Sequence, residues 1–531
     1  MKPYYVSTPI FYVNAAPHIG HLYTSVIADV LVRYSRLRHP DRPVFLNTGT
    51  DEHGLKIQQA AEAAGENPMQ FCDRISERFK ELGRAASIGS SRFTRTTNID
   101  HKMSAQYFWD LLERSGAVYK GQHSGWYSIS DECFYTDAQV ETITGQTNVK
   151  VATETGSIVE WTTEENYKFR LSLYREPLLE WLNGNKLSVY PPTRRDELIL
   201  QLSNPENFKD ISISRPRSRL QWGIPVPRDK QQVIYVWLEA LVNYLTAVGH
   251  PWTDGRNDGK GWPTDVHVIG KDILRFHAVL LPAFLLAIGY ELPSTILAHA
   301  HWTVNRQKMS KSRGNVTNPF SVLQLYGVDP IRYYMMSVAG NFHDDSNWSE
   351  EQIVNHYNRD LRGVLGNLVS RITSPGLTSL LNSLASEEGH SVTSYALLDK
   401  NLPEDAIIKR MLEEAPSKFE QHFSQFEIGK ALEIPMGLVN EANRHFIHLR
   451  WWEHKDSPDI IRRSHFYTHE ALRIASILLQ PFMPTKSQEV LAALCAGCNQ
   501  WRSTVLGASG VPAKSKHTAP YSTLFPPIKL N

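Results

Sequence analysis

The stretch 8-TPIFYVNAAPHIGH-21 contains the change of periodicity that decides the fold. Aromatic and β-branched residues are dense in 3–13 and predict a β-strand followed by a turn. From His18 onward the apolar residues recur at helical spacing as far as Leu31, so a helix is predicted to begin near His18. A second strand is predicted at 43–48. Strand, helix and strand in this order predict a parallel βαβ unit.

The composition fits a globular protein of several domains, since the chain has 531 residues. The formal net charge of +1 neither favours nor excludes nucleic acid as a partner, because a local basic face can bind phosphates. Four cysteines are too few for a disulfide scaffold. The longest apolar run, 278–288, is too short to cross a membrane, and no membrane association is predicted.

The pattern of elements divides the chain into four segments. Segments 1–115 and 225–345 are predicted to be two halves of one α/β domain, with strands at 233–236, 266–269 and 296–304 and a long helix that follows Asp272 and ends at Gly289. Segment 116–224, with short aromatic runs and many turn residues, is interpreted as an insertion. Segment 346–531 is predicted to be helical, apart from a Ser/Leu-rich linker at 374–396 and a C-terminal tail.

His18, Gly20 and His21 stand at the junction between the first strand and the first helix. The two histidines are three residues apart and share one side of the helix start. The glycine permits close approach of a ligand to the backbone, and a helix N-terminus favours phosphate. A helix that merely carries two histidines is the alternative, and the four residues alone leave both interpretations open.

Residues 308-KMSKS-312 follow a predicted strand in a polar loop. Lys308 and Lys311 are three residues apart with Ser310 between them, which suits a triphosphate whose charge grows during transfer. A solvated basic loop is the alternative. Five specified residues in order argue against it.

Taken together, 18-HIGH-21 and 308-KMSKS-312 resemble the two signature motifs of the class I aminoacyl-tRNA synthetases. Within that class, the chain resembles the methionyl-tRNA synthetases over most of its length. Stretches that carry this resemblance include 48-TGTDEHG-54, 125-GWYSISDE-132, 164-EENYKFRLS-172, 222-WGIPVP-227, 235-YVWLEALVNY-244, 269-IGKDILRFH-277 and 478-LLQPFMP-484.

The resemblance implies a Rossmann-like, doubly wound parallel sheet as catalytic domain (1–115 and 225–345), an inserted connective domain (116–224) and an all-α anticodon-binding domain (346–531). It also implies the reaction. Methionine and ATP, with Mg²⁺ as cofactor, give methionyl-adenylate and pyrophosphate, and methionine is then transferred to the 3′ end of tRNA(Met) with release of AMP. The motifs at 18–21 and 308–312 are predicted to converge on one triphosphate.

A methionine site is predicted from one carboxylate and a set of apolar side chains. Asp51 follows a strand and could pair with an α-ammonium group, although a turn or helix cap is the commoner role of such an aspartate. Each apolar residue alone would be assigned to the core, but the set matches the family's methionine pocket, and a thioether packs well on aromatic rings. The set comprises Ile10, Tyr12, Trp237, Ala240, Leu241, Tyr244, Ile273 and His277. Leu241 stands where some relatives carry proline.

The ATP site implied by the resemblance includes both motifs and three further residues. Gly270 would let adenosine lie against the backbone, and Asp272 would accept hydrogen bonds from ribose hydroxyls, with a cap as its alternative role. The predicted ATP-binding residues are Asn14, His18, Gly20, His21, Gly270, Asp272, Lys308, Ser310 and Lys311, of which His18, His21, Lys308 and Lys311 are the predicted catalytic residues.

An anticodon site is implied by Asn367 and Arg371, four apart on a predicted helix, and by Trp452. Proteins read splayed single-stranded loops by aromatic stacking and by hydrogen bonds to base edges. A surface pair and a half-buried tryptophan are the alternative. Trp451 replaces the proline usual in the family, and it could be the stacking residue instead of Trp452.

No metal site and no structural zinc are predicted, because segment 116–224 contains only Cys133 where relatives carry cysteine pairs. A lone CxxC at Cys495 and Cys498 is interpreted as incidental. The cysteine-poor insertion resembles mitochondrial enzymes, so a mitochondrial matrix location is predicted although no leader is visible, with the cytoplasm as the alternative. A monomer is predicted.

Two other functions are compatible with parts of the pattern. Class I synthetases for leucine, isoleucine or valine usually carry a longer editing insertion, and a cysteinyl enzyme would need zinc ligands near its pocket. A catalytically dead tRNA-binding protein is a second alternative. The intact motifs at 18–21 and 308–312 argue against it.

Overall fold

The computed structural model describes residues 1–131, 133–143, 149–153, 155–205, 208–252, 261–304, 306–308, 316–388, 402–494, 499–507 and 523–528. The chain forms two compact units. The sheet unit comprises Met1–Val32 and Asp41–His301, and the helical unit comprises Arg33–Pro40 and Trp302–Asn531.

The sheet unit begins with alternating strands and helices. In chain order they are β1 (Tyr4–Tyr12), α1 (Ile19–Arg38), β2 (Val44–Asp51), α2 (Leu55–Ala64), α3 (Pro68–Ala85), β3 (Arg92–Arg95) and α4 (Ile99–Arg114). The helix predicted to begin near His18 is therefore confirmed as α1.

A mostly antiparallel region follows. Its elements are β4 (Val118–Ser128), β5 (Cys133–Tyr135), β6 (Val140–Thr142), β7 (Lys150–Ala152), β8 (Ile158–Phe169), α5 (Arg175–Gly184), β9 (Val189–Tyr190), α6 (Pro192–Ser203), β10 (Ile211–Ser212), β11 (Ser214–Pro216), β12 (Pro225–Val226) and β13 (Asp229–Ile234). One sheet has the order β5-β4-β8-β7-β6, with β10 on β8, and a second has the order β11-β13-β12.

The parallel sheet is completed by residues from the second half of the unit. These elements are α7 (Val236–Thr246), β14 (Val266–Gly270), α8 (Leu281–Ala287) and β15 (Thr295–His299). The strand order is β3-β2-β1-β14-β15-β9, and every neighbouring pair is parallel. The predicted α/β sheet is confirmed, and its strand order reverses between β1 and β14, which is where such sheets bind ligands.

The core of the sheet unit packs helices on this sheet. One buried cluster contains Trp109 of α4, Leu241 of α7, Phe284 of α8, Ile269 of β14 and Ile296 of β15. Burial of this apolar surface is the main stabilising contribution to such a layer. The strands and helices that carry the site therefore pack on a continuous apolar core.

Three predicted boundaries were wrong in detail. Residues 229–234 form an antiparallel strand, and Val236 already begins α7, so the strand predicted at 233–236 does not join the parallel sheet. The strand predicted at 296–304 is two strands, β15 and a separate one at Trp302–Val304. Strand β9 was not predicted, because two residues are too few to show an alternation.

The long helix predicted after Asp272 is irregular. A 3₁₀ turn, Lys271–Ile273, leads into a π-helical turn, Phe276–Leu280, and then into α8. Gly289 lies just beyond, with φ of +71°, as predicted for a residue that ends a helix. Single π-helical turns are frequent at functional sites, and this one carries His277.

The helical unit has one small sheet and many helices. Its elements are β16 (Trp302–Val304), β17 (Gln307–Lys308), α9 (Pro319–Tyr326), α10 (Val328–Ala339), β18 (Ser346–Asn347), α11 (Glu350–His356), a π-helical segment (Tyr357–Gly366), α12 (Asn367–Ile372), α13 (Pro375–Glu388), α14 (Ala406–Ser424), α15 (Ile428–Leu449), α16 (Pro458–Leu479) and α17 (Pro484–Ala493). The helical character predicted after 346 is confirmed.

The linker predicted at 374–396 was wrong for its first part, because α13 occupies Pro375–Glu388. Leu377 and Leu384, seven residues apart, are both buried and give this serine-rich segment an apolar helical face. Within the described residues, no helix is long and apolar enough to cross a membrane. The four segment boundaries drawn from the sequence stay predictions.

Candidate active site

An irregularity within β1 changes its pairing with β2 near the carboxyl end of the strand. The register between β1 and β2 shifts between Ser7 and Ile10, where Pro9 has no N–H to donate to the ladder. Beyond the shift, Tyr12 pairs with Asp51 of β2. Two predicted methionine-site residues therefore lie side by side at the carboxyl ends of neighbouring strands, and Asp51 is only 9% exposed.

His18 and His21 are fixed by the backbone of their own turn. The His18 N–H donates to Nδ1 of His21 at 3.0 Å, and the Gly20 N–H donates to Nδ1 of His18 at 3.0 Å. The two rings stack with centroids 3.8 Å apart. Because each Nδ1 accepts a hydrogen bond, the neutral rings carry their proton on Nε2. Both imidazoles are thereby prepared to donate from Nε2 to phosphate oxygens.

Gly20 makes this stacked arrangement possible. A Cβ at position 20 would lie 2.8 Å from Cε1 of His18, closer than real Cβ contacts allow. The glycine thus makes room for the imidazole, a role that the sequence interpretation assigned to an approaching ligand. Phe11 and Phe79 contact the ring of His21 at centroid distances of 5.0 and 5.1 Å and form an apolar wall beside it.

The first turns of α1 are also tied to the end of β15. Thr24 lies 2.8 Å from Nε2 of His299 and 3.1 Å from the carbonyl oxygen of Gly20. Nδ1 of His299 lies 2.9 Å from the carbonyl oxygen of Ala300 and must donate to it, so Nε2 accepts from the threonine. Burial lowers the pKa of His299 to about 4, which keeps this ring neutral.

The floor of the predicted methionine pocket is a buried, uncharged hydrogen-bond chain. Nδ1 of His277 lies 3.0 Å from the carbonyl oxygen of Ile273 and donates to it. The Tyr244 hydroxyl, 2.6 Å away, therefore donates to Nε2. Burial lowers the pKa of His277 to about 4. The chain can thus present ring faces to a neutral side chain without a net charge.

The walls of the same region are aromatic and aliphatic. Trp237 stacks on Phe276 with centroids 3.6 Å apart and an interplanar angle of 5°, and meets the ring of His277 edge-on at 6.5 Å. Four predicted members are buried, namely Ala240, Leu241, Tyr244 and His277. Four others are partly exposed, namely Ile10, Tyr12, Trp237 and Ile273. The partly exposed members are those that a ligand could reach.

The sequence interpretation missed a buried pair that joins the two sides of this region. Nδ1 of His53, two residues after Asp51, lies 2.8 Å from Oε1 of Glu239, two residues after Trp237. Burial lowers the pKa of His53 to about 3 and raises the pKa of Glu239 well above its ordinary value. Both shifts favour an uncharged pair. The signal was present in the quoted stretches, but nothing in the sequence connects positions 186 residues apart.

The predicted nucleotide residues occupy the same edge of the sheet. Gly270 is the last residue of β14, and Asp272 lies in the 3₁₀ turn that follows it. An Asp272 carboxylate oxygen lies 3.0 Å from Nε2 of His301, a second residue that the sequence interpretation missed. Asn14 lies in the loop between β1 and α1.

The second lysine motif is described only at its start. Lys308 pairs with Thr303 across the antiparallel strands β16 and β17. Residues 309–315, including Ser310 and Lys311, lie outside the described residues. The predicted convergence of 18–21 and 308–312 on one triphosphate stays a prediction.

The predicted anticodon residues lie on one region of the helical unit. Asn367 begins α12 and is exposed, and Arg371 follows one turn later. Arg371 donates from Nη1 to the Asn443 side chain of α15 at 3.3 Å, and Asn443 donates to the carbonyl oxygen of Val364 at 3.2 Å. This bridge orients Arg371 and leaves Asn367 facing solvent.

Trp451 and Trp452 follow the end of α15 in a 3₁₀ turn, Trp451–Glu453. Trp452 is 40% exposed and contacts Phe446 of α15 at a centroid distance of 6.0 Å. Trp451 is less exposed, and its indole N–H is buried. Since Phe446 and Asn443 are three residues apart on α15, Trp452 and Arg371 contact the same face of that helix.

Metal ligands do not cluster in the part of the chain that the structure describes: no group of three or more His, Cys, Asp or Glu is arranged to hold an ion. Cys133 is buried and unbonded to another cysteine. Cys495 and Cys498 lie outside the described residues. The absence of structural zinc stays a prediction.

Two features define the class of protein. The parallel sheet reverses its strand order between β1 and β14, and a His-x-Gly-His sequence opens the helix that follows β1. That combination is characteristic of the catalytic domain of class I aminoacyl-tRNA synthetases. Residues 4–373 match the family described as "tRNA synthetases class I (M)".

Individual relatives narrow the class. The probable mitochondrial methionine–tRNA ligase of Neurospora crassa is 43% identical over 504 residues, which cover 93% of this chain and 80% of that protein. The mitochondrial methionine–tRNA ligase of Homo sapiens is 42% identical over 508 residues, 92% of this chain and 83% of that protein. The crystal structure of Mycobacterium tuberculosis methionyl-tRNA synthetase bound by methionyl-adenylate matches with a TM-score of 0.87 and 36% identity over 99% of this chain and 100% of that chain. The chain belongs to the methionine–tRNA ligases of class I.

Proposed function

We propose that the chain activates methionine with ATP to methionyl-adenylate and pyrophosphate, and then transfers methionine to the 3′ end of tRNA(Met) with release of AMP. The observation that carries the proposal is family membership over nearly the whole chain, supported by an uncharged aromatic pocket beside a histidine pair suited to phosphate. A leucine or isoleucine enzyme is disfavoured because the relatives that match over more than nine tenths of the chain are methionine–tRNA ligases.

Activation is an in-line attack of the methionine carboxylate on the α-phosphorus of ATP. No protein nucleophile is needed, so the chain contributes positioning and charge stabilisation. His18 and His21 donate from Nε2 to phosphate oxygens. The fixed tautomers support this role, because backbone N–H groups already occupy both Nδ1 atoms.

Methionine is held at both ends. Asp51 accepts hydrogen bonds from the α-ammonium group, and Tyr12 lies beside it in register. The thioether packs on Trp237 and the ring of His277, with Ile10, Ala240, Leu241, Tyr244 and Ile273 completing the pocket. A neutral His277 is essential to this proposal, because a buried imidazolium would reject the apolar side chain.

The nucleotide is held by Asn14, Gly20, Gly270 and Asp272 together with the histidines. Asp272 accepts from the ribose hydroxyls, and Gly270 lets the adenosine approach the backbone. Lys308, Ser310 and Lys311 bind the departing pyrophosphate and stabilise its charge. Mg²⁺ bound to the phosphates of ATP would need few protein ligands and would neutralise part of the phosphate charge.

Transfer follows activation. The terminal ribose 2′-hydroxyl of tRNA attacks the adenylate carbonyl, as in the family that the chain belongs to. Asn367 and Arg371 read anticodon bases by hydrogen bonds, and Trp452 stacks on one base. The exposure of Trp452 and the buried N–H of Trp451 favour Trp452 as the stacking residue.

The enzyme works as a monomer in the mitochondrial matrix. The location is supported by relatives that are themselves named mitochondrial. Analytical ultracentrifugation and imaging of the tagged chain against a matrix marker would test the two statements separately.

The central test is ATP–pyrophosphate exchange with each of the twenty amino acids in turn. We expect exchange with methionine to exceed that with leucine, isoleucine, valine and cysteine by about 10–200-fold, because one misfitting group in a built pocket costs roughly 1–3 kcal/mol. Exchange that prefers another amino acid, or no exchange with any amino acid, would overturn the proposal. Aminoacylation of tRNA(Met) then tests the second step.

A further inference from the structure

We infer that His301 is a positioning residue for ATP, which holds the Asp272 carboxylate in the orientation needed to bind the ribose. This inference rests on the proposed function, because it concerns the same nucleotide site. No assigned motif includes His301, which stands between the end of β15 and the lysine motif.

The topology brings the two side chains together. Strands β14 and β15 are parallel neighbours, and Gly270 pairs with His299 at their carboxyl ends. Asp272 and His301 each lie two residues beyond that pair. Because parallel strands end at the same edge of a sheet, the two positions meet above it even though they are 29 residues apart in the chain.

The contact is a directed hydrogen bond. Nε2 of His301 lies 3.0 Å from Oδ1 of Asp272. A carboxylate can only accept, so the imidazole donates from Nε2. Such charge-assisted bonds are stronger than neutral ones and fix the rotamer of the acceptor. A carboxylate has about four lone-pair sites, so the bond from His301 does not prevent Asp272 from accepting hydrogen bonds from ribose hydroxyls.

The Asp272–His301 pair packs closely against the backbone at Gly270. A Cβ at position 270 would lie 2.6 Å from Oδ1 of Asp272 and 3.3 Å from Nε2 of His301. The carboxylate and the imidazole therefore lie directly over the glycine that is proposed to face adenosine. The side chain of Asp272 is 38% exposed and that of His301 is 18% exposed, so the acceptor remains reachable while its partner is more enclosed.

The exposure of Asp272 also explains why a partner is needed. A carboxylate on a short turn at the surface has several rotamers, and only some of them point its oxygens at the ribose. Ordering it on binding would cost affinity, whereas a preset orientation lowers that cost. His301 supplies the orientation without touching the nucleotide.

The test compares His301→Phe, which keeps a ring but removes the donor, with His301→Gln, which keeps a donor at a similar distance. ATP, 2′-deoxyATP and 3′-deoxyATP serve as probes, by equilibrium binding and by methionine-dependent exchange. We expect His301→Phe to weaken ATP binding about tenfold, the scale of one charge-assisted hydrogen bond, and to bind the deoxynucleotides almost as wild type does. We expect His301→Gln to recover most of the loss.

Controls separate positioning from general damage. His39→Phe makes the same chemical change at an exposed position and should change nothing. In an Asp272→Ala background, His301→Phe should have no further effect. The inference fails if His301→Phe weakens all three nucleotides equally, if it weakens none, or if its effect adds to that of Asp272→Ala. Binding of ATP needs no methionine, so a wild-type chain that binds ATP with ribose discrimination but shows no methionine-dependent exchange would sink the proposed function alone.

Discussion

The sheet unit and the helical unit handle buried polar groups in different ways. In the sheet unit, five buried histidines pair with hydroxyl groups. These pairs are His101 with Thr246, His250 with Ser104, His267 with Ser7, His277 with Tyr244 and His299 with Thr24. Burial lowers the pKa of all five histidines, to about 3 for His101 and about 4 for His250, His277 and His299.

In the helical unit, two buried carboxylates are neutralised by charged partners. Asp405 accepts from Arg463 and contacts His445 at 2.8 Å, and Glu470 accepts two hydrogen bonds from Arg473, with neither side chain of that last pair exposed. Burial alone would raise the pKa of Asp405, but the hydrogen bonds from His445 and Arg463 outweigh it and lower the pKa. The five histidines buried in the sheet unit are thus kept uncharged, whereas the buried ion pairs of the helical unit are charged and compensated.

The difference fits what each unit is proposed to bind. A thioether and an adenine ring are neutral, and neutral histidines in the same unit avoid the desolvation cost of additional buried charges. The helical unit is proposed to bind RNA at its surface, where buried ion pairs matter only for the fold. The two units are therefore expected to differ in acid sensitivity, in the effect of buried charges on stability and in their part in the activity. Each of these differences can be tested.

Lowering the pH should destabilise the sheet unit before the helical unit and to a greater extent. A histidine with a lowered folded-state pKa binds its proton more weakly when folded, so its contribution to stability is complete above about pH 6.5 and is lost as the pH falls toward 4. The losses from the five histidines add as the pH falls, because each of them binds its proton more weakly in the folded state. Asp405 has a lowered pKa and contributes until the pH falls below about 3.8.

Hydrogen exchange measured peptide by peptide between pH 7 and pH 4.5, after correction for the intrinsic rate, checks this expectation. Protection should fall in β1, β14 and α7 before it falls in α14, α15 and α16. Glu239, whose pKa is raised, works in the opposite direction and offsets one histidine, so His53 is left out of the sum. Equal loss of protection in both units across this window would contradict the comparison.

Removing one partner of the buried ion pair in the helical unit should cost about 3–5 kcal/mol of unfolding free energy. Arg473→Met leaves the Glu470 carboxylate buried and also removes donors to the carbonyl oxygens of Ser503 and Val505. The double variant Glu470→Leu/Arg473→Met removes both charges and should recover part of the loss. Urea unfolding followed by circular dichroism measures both. A double variant less stable than Arg473→Met would show that the pair is not compensated in this way.

His21 differs from the five buried histidines because its Nδ1 accepts from the backbone and its Nε2 is the donor. His21→Ala should slow the pyrophosphate burst by about 10²–10³-fold, the usual effect of losing a donor to developing charge, and leave methionine binding unchanged. Glutamine can place an N–H near the position of Nε2, whereas asparagine can reach only the position of Nδ1. His21→Gln should therefore retain more activity than His21→Asn, and the reverse order would refute the tautomer argument.

Tyr244→Phe breaks the uncharged chain beneath the proposed pocket. It leaves Nε2 of His277 buried without its donor, which should cost about 1–3 kcal/mol of unfolding free energy. Part of that loss should appear as a roughly tenfold higher KM for methionine in exchange, with KM for ATP unchanged. Val242→Ala removes a buried apolar group from the same helix and provides a control for general loosening. Equal changes in both KM values would argue against a role in the methionine pocket.

Structure formed by residues close together in the chain could be predicted from the sequence, whereas contacts between residues far apart in the chain could not. The step from strand to helix at His18 was predictable because the periodicity changes within a few residues, and the stacked histidines contact only their own turn. The pairs His53–Glu239 and Asp272–His301 were not predictable, because their partners are separated by 186 and 29 residues. Only the sheet brings them together.

The same limit explains the errors in the fold. Strand β9 belongs to the parallel sheet but has two residues, so it leaves no pattern. The π-helical turn at Phe276–Leu280 has the composition of an ordinary apolar helix, so its irregular hydrogen bonding could not be predicted from the residue pattern. The residues of the predicted methionine site were identified together by resemblance to the family. The hydrogen bond between Tyr244 and His277 could be seen only in the structure.

The smallest expected effect concerns an exposed residue of the helical unit, where the buried charges are taken to be structural. Asn367→Ala should lower kcat/KM for tRNA about tenfold, which is the effect of losing one or two hydrogen bonds. ATP–pyrophosphate exchange and the unfolding midpoint should stay unchanged, because the Asn367 side chain faces solvent at the start of α12. Ser370→Ala changes an exposed neighbour on the same helix and is the matched control. If Asn367→Ala lowers exchange as much as aminoacylation, the residue does not act through the anticodon. If neither assay changes, the recognition surface of the helical unit lies elsewhere.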